Sequence, residues 1–160
     1  MGMAGCGYHV SGKGDLLPKT LHTVAIPAFG NITVRYKLSD RLPEAIAQEF
    51  IARTRYQVIP DAGQADAVLN GTVLNFVTFP VLFDQASGRA TALQVNVRMG
   101  VTLTERATGK VLYSNPGFDV SQRYEISIDP GKYFEESDTA LNRLSREVAR
   151  RVVSAILENF

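Results

Sequence analysis

The sequence predicts an α+β fold. It reads as a two-layer sandwich, with a mostly antiparallel four- to five-stranded sheet and two helices packed on one face, in the order β-α-β-β-β-β-α. Three observations predict it. Leu93, Val95, Val97, Met99, Val101 and Leu103 alternate with Gln94, Asn96, Arg98, Gly100, Thr102 and Thr104, the period of a strand with one buried face. Residues 40–54 and the C-terminal stretch instead repeat apolar side chains at helical spacing. Burying two helical stripes and one sheet face together requires both helices on the same side. The reverse face of the sheet is then expected to be open, polar and long.

The elements follow in order. Leu21 to Ala28 is β-rich, and Pro27, which has no N–H to donate, ends that strand or confines it to an edge. The first helix is expected over 40–54, capped by Asp40 with Pro43 in its first turn, where a missing donor leaves no bond unmade. Leu42, Ala45, Ile46 and Phe50 form its buried side. A short strand at Tyr56–Pro60 and a turn at Asp61-Ala62-Gly63-Gln64 lead to a β-rich segment, 66–79. Its Asn70-Gly71 is read as a close backbone contact or bulge inside one strand, because the flanking halves are short for a hairpin. The strand from Leu93 to Thr104, at about 3.4 Å per residue, is roughly 40 Å long. A turn at Ala107-Thr108-Gly109-Lys110 sends the chain back through Val111–Ser114, with a bulge expected at Asn115-Pro116-Gly117 before Phe118–Ile128. The last helix should begin between 132 and 138, with Ser137 or Asp138 as its cap. Leu141, Leu144, Val148, Val152, Ala155 and Ile156 make its buried stripe, with arginines opposite.

Composition narrows function. The 160 residues are 45% hydrophobic and 21% charged, which suits one domain over 21–160 preceded by a Gly-rich tether, 1–20. Seventeen Lys and Arg against sixteen Asp and Glu leave +1, too balanced for a nucleic-acid-binding domain. One cysteine excludes an internal disulfide, and His9 and His22 are badly spaced for metal ligands, so no metal and no cofactor is expected. No G-x-S-x-G elbow and no H-E-x-x-H motif is present, and Glu135-Glu136 beside a helix start needs no explanation beyond the helix dipole. The expected class is a binding protein, not an enzyme.

Met3-Ala4-Gly5-Cys6 looks like the end of a bacterial lipoprotein signal, in which two small residues precede the cysteine that is acylated. Only five residues precede Cys6, fewer than the apolar stretch of roughly 7–15 residues a signal peptide needs. The competing reading of Cys6 is a chance match at an unpaired thiol.

Cys6-Gly7-Tyr8-His9, the strand Val24-Ala25-Ile26-Pro27 with Phe29 and Asn31, and the opening Ala65-Asp66-Ala67-Val68-Leu69-Asn70-Gly71 follow one another in a familiar order. With the long alternating strand, the Thr108-Gly109-Lys110-Val111-Leu112 hairpin and the last helix, residues 6–160 resemble the lipopolysaccharide-assembly lipoprotein family, LptE. That resemblance implies a protein lipid-anchored through Cys6 on the periplasmic face of the outer membrane. It implies one that plugs an LptD-type β-barrel translocon, assists its assembly and binds lipopolysaccharide. It also implies basic residues near the turn between the long middle strands and near the start of the last helix; Arg89 and Lys132 hold those places here. Arg143, Arg146, Arg150 and Arg151 share one helical face and form a further candidate anion surface. The Val-Ala-Ile-Pro-x-Phe-x-Asn stretch also resembles periplasmic lipoproteins that activate peptidoglycan synthases or build curli pores, and this remains the alternative.

Overall fold

The computed structural model describes residues 18–33, 36–125 and 130–159, of which residue 36 and residues 130–137 are described by backbone alone. Among them the elements are β1 (Thr23–Ala25), β2 (Gly30–Asn31), α1 (Tyr36–Arg53), β3 (Gln57–Val58), β4 (Ala67–Phe83), β5 (Ala90–Glu105), β6 (Val111–Glu125) and α2 (Pro130–Glu158).

Six strands form one open sheet in the order β3-β1-β4-β5-β6, with β2 also paired to β4. The three long strands are antiparallel, whereas β1 runs parallel to β3 and β4, and β2 parallel to β4. The α+β class therefore holds, with a sheet more mixed than expected and one strand larger. The added strand is β2, two residues long at Gly30–Asn31, where the sequence reads as loop.

On β5 Val95, Val97, Met99, Val101 and Leu103 are buried, as the alternation requires, whereas Leu93, the first of that series, is half-buried and Ala92 beside it is buried. They join Leu42, Ile46 and Phe50 of α1 and Leu144, Val148, Val152 and Ile156 of α2 in one core. Each such Val, Leu or Ile contributes about 1.5–3 kcal/mol by leaving water. The helices run side by side in the same direction. Arg41 near the start of α1 reaches Asp138 near the start of α2 at 3.2 Å, and Arg53 at the end of α1 donates to the Ser154 hydroxyl at 2.9 Å.

Three boundaries differ from expectation. α1 begins at Tyr36, so Asp40 is not its cap and Pro43 lies inside the helix. Leu38 explains this: it is buried one helical repeat before Leu42, so the apolar stripe starts upstream of the proline and offsets the lost backbone bond. α2 begins at Pro130, which puts Ser137 and Asp138 inside it. β4 continues through Pro80 to Phe83. Its outer side is paired with β1 and β2 only as far as Val73, so among the described residues it is an edge strand beyond that point, where a missing donor costs no ladder bond.

The glycine and bulge expectations fare well. At Gly71 a Cβ would collide with the ring of Phe29, so the residue marks a close approach. The register shift in the β5–β6 ladder lies between Met99 and Val101, whose partners are Phe118 and Asn115, which puts the bulge at Pro116-Gly117.

Candidate functional site

The ladder registers gather the basic candidates at one end of the sheet. Ala92 of β5 is opposite Glu125 of β6, so β6 finishes beside the start of β5, which the β4–β5 turn immediately precedes. Arg89 closes that turn and is exposed. Lys132 lies in the first turn of α2, its side chain outside the described residues.

The turn is stiff. Asp84 N–H donates to the Arg89 carbonyl and Gly88 N–H to the Asp84 carbonyl, both at 2.8 Å. Gly88 takes a φ of 69°, which a side chain would disfavour. The Asp84 carboxylate accepts the Ser87 hydroxyl at 2.6 Å and the Ser87 N–H at 2.8 Å, and these bonds hold its pKa below the ordinary carboxylate value.

Between the end of β6 and α2 lies a hollow of about 510 Å³ lined by Gln122, Arg123, Tyr124, Glu125, Ala140 and Arg143. Among the described residues neither Arg123 nor Arg143 forms an ion pair. Arg123 went unnoticed in the sequence, where it is one charge in a polar run; only the register that sets it opposite Gln94 brings it to this end.

The helical arginine set does not act as a unit. Arg143 borders the hollow just described, and Arg146 borders a separate groove of about 300 Å³ between α1 and α2. Arg150 and Arg151 both bind the Glu147 carboxylate, at 3.0 and 2.8 Å. Their charge is partly neutralised on their own helix.

Among the described residues the reverse face of the sheet carries no helix. On it Arg98 pairs with Asp119 at 3.1 Å and Ser121 donates to Asn96 at 2.8 Å, cross-strand partners that make β5 and β6 polar there. β4 departs from this. Val77 and Phe79 are opposite Asn96 and Gln94, so they point to the same open face. A register shift then sets Leu82 opposite Ala92, again on that face, and a second sets Phe83, the next residue of β4, opposite Ala90 at the irregular tip of the ladder.

At the other end, Asp66 ties β1 to β4. Its carboxylate accepts the N–H groups of His22 and Thr23 at 2.8 and 3.0 Å, and its own N–H donates to the Thr23 hydroxyl at 2.9 Å. These bonds, the His22 one foremost, lower its pKa. Cys6 and His9 lie outside the described residues. Among the described residues no three His, Cys, Asp or Glu side chains group as metal ligands would. No helix among them is long and apolar enough to cross a membrane.

The described residues define a class of two-layer α+β domain with arginines at one sheet end and a helix-free sheet face. Within that class the lipopolysaccharide-assembly family model, LptE, matches residues 21–156, and the chain belongs to that family. This makes it a lipopolysaccharide-assembly lipoprotein of the cell envelope. A comparison with curated proteins gives no match.

Solved structures share the fold. The CT253 protein of Chlamydia trachomatis is 15% identical with a TM-score of 0.59, over 86% of this chain and 97% of that one. The PelC dodecamer of Paraburkholderia phytofirmans is 17% identical at 0.56, over 91% and 93%. Rare lipoprotein B of Shewanella oneidensis is 7% identical at 0.54, over 86% and 95%.

Proposed function

We propose that this protein is held to the periplasmic face of the outer membrane by acyl chains on Cys6 and plugs an LptD-type β-barrel translocon. In this reading it assists the barrel's assembly and passes lipopolysaccharide to it. Residues 1–20 act as the tether and 21–160 as the working domain; durable anchoring takes more than one acyl chain. The polar part of the open sheet face, with Asn96, Arg98, Asp119 and Ser121, suits the polar lumen of such a barrel. Lipopolysaccharide phosphates are bound at the basic end by Arg89 and Lys132, with Arg143 and Arg123 beside them; Arg146 and Arg150 belong to the same helix face further along. No metal, cofactor or catalytic step enters.

The observation that carries this reading is the register that sets the β4–β5 turn and the end of β6 at one end of the sheet. The test is isolation of the native lipidated protein from outer membranes. The expected result is a β-barrel partner that co-purifies, and a Cys6→Ala precursor that stays in the soluble periplasmic fraction. Co-purification of a peptidoglycan synthase instead, or membrane retention of the Cys6→Ala form, overturns the partner or the anchor respectively.

A further inference from the structure

The far half of β4 carries an apolar strip that no element among the described residues covers. Val77, Phe79, Leu82 and Phe83 are 42%, 40%, 47% and 58% exposed; the register sets Val77, Phe79 and Leu82 toward the helix-free face, with Phe83 next to them at the irregular tip of the strand. The strip spans roughly 20 Å at about 3.4 Å per residue. No ionisable side chain occurs from Ala67 to Phe83 on β4, nor from Ala90 to Val97 on β5. Among the described residues no strand pairs with the outer side of β4 beyond Val73, so the strip is open laterally as well. It ends at the stiff turn that presents Arg89.

A second copy of this chain is a poor occupant. Four half-exposed side chains offer on the order of 350 Å² of apolar surface, well short of the ~800 Å² per partner of a stable interface. Edge-to-edge pairing is blocked too, since Pro80 and the shifts at Val73/Asn75, Pro80/Leu82 and Leu82/Phe83 spoil a flat strand edge. A narrow charge-free strip leading to a cation instead fits an amphiphile, with its hydrocarbon along the strip and its anionic group at Arg89. We propose that β4 from Val77 to Phe83 seats an acyl chain of the lipopolysaccharide whose phosphate meets the basic end. This rests on the binding reading above and adds the acyl seat to it.

The test compares intact lipopolysaccharide with the same material fully deacylated, each titrated against the full chain. The wild type should bind the intact form at least tenfold more tightly. Phe79→Ser with Phe83→Ser should erase that preference and leave affinity for the deacylated form unchanged; Val77→Thr with Leu82→Thr, which keeps strand propensity, should reduce it severalfold. A preference untouched by both pairs, or absent from the wild type while the deacylated form still binds, overturns the acyl seat and leaves phosphate binding standing. Failure of the wild type to bind either probe overturns both. Sedimentation of the wild type as a dimer that Phe79→Ser/Phe83→Ser dissociates would assign the strip to a second copy and overturn the proposal.

Discussion

The ring of Phe29 lies over Gly71, in the space that any side chain at that position would fill. The contact fastens the loop between β1 and β2 to the middle of β4, where Gly30 and Thr72 are paired. Gly71→Ala should therefore destabilise the domain by about 1–3 kcal/mol through overpacking. Phe29→Ala should cost about 3 kcal/mol by opening a cavity, and Gly71→Ala should add almost nothing in that background. Urea unfolding of the two single variants and the double one measures the coupling, and additive effects would break the stated contact.

Val97→Asp should unfold the protein. Val97 is buried on β5 between the sheet and the helices, and an unpaired carboxylate there costs several kcal/mol unless it protonates. Circular dichroism should show lost cooperativity. A folded variant would mean that β5 presents its other face to the core.

Acid should loosen the attachment of β1. The Asp66 pKa is lowered in the folded state by the His22 and Thr23 bonds, so its contribution is complete above the unfolded value and disappears as pH falls through the folded one. Asp66→Asn should be less stable than the wild type at neutral pH, and the gap should close below about pH 4. Denaturant midpoints across that range provide the check; a constant gap would remove the charge from the account.

Charge reversal should separate the arginines by position. Arg89→Glu with Lys132→Glu, and Arg123→Glu with Arg143→Glu, should each weaken lipopolysaccharide binding about tenfold or more while the melting temperature stays put. Arg150→Glu should change binding little, because that guanidinium already serves Glu147. Equal losses at all these positions would point to a diffuse charge effect and not to a site at the sheet end.

Legibility in the sequence followed the strength of local pattern. The alternation of β5 and the stripes of both helices are written in consecutive side chains, so class, core and helix side were readable. Pro43 and Pro80 misled for one shared reason. A proline is read as a boundary, yet its cost depends on whether the missing donor had a partner, and that depends on neighbours far along the chain. β2 was illegible because two residues carry no period. The basic end was legible only in part: Arg89 and Lys132 came from a resemblance, while Arg123 and the exposed strip depend on ladder register, which side-chain pattern fixes for a face but not for an end.

Among the described residues the short parallel strands brace β4 only up to Val73, and no strand pairs with the rest of its outer edge. Tolerance to substitution should therefore grade along this one strand, strict where it is flanked on both sides and permissive toward the tip. With the proposed acyl seat at that tip, such a gradient would let a single scaffold be refitted to glycolipids of different architecture by changes confined to its loosest few residues, without reopening the question of how the chain folds.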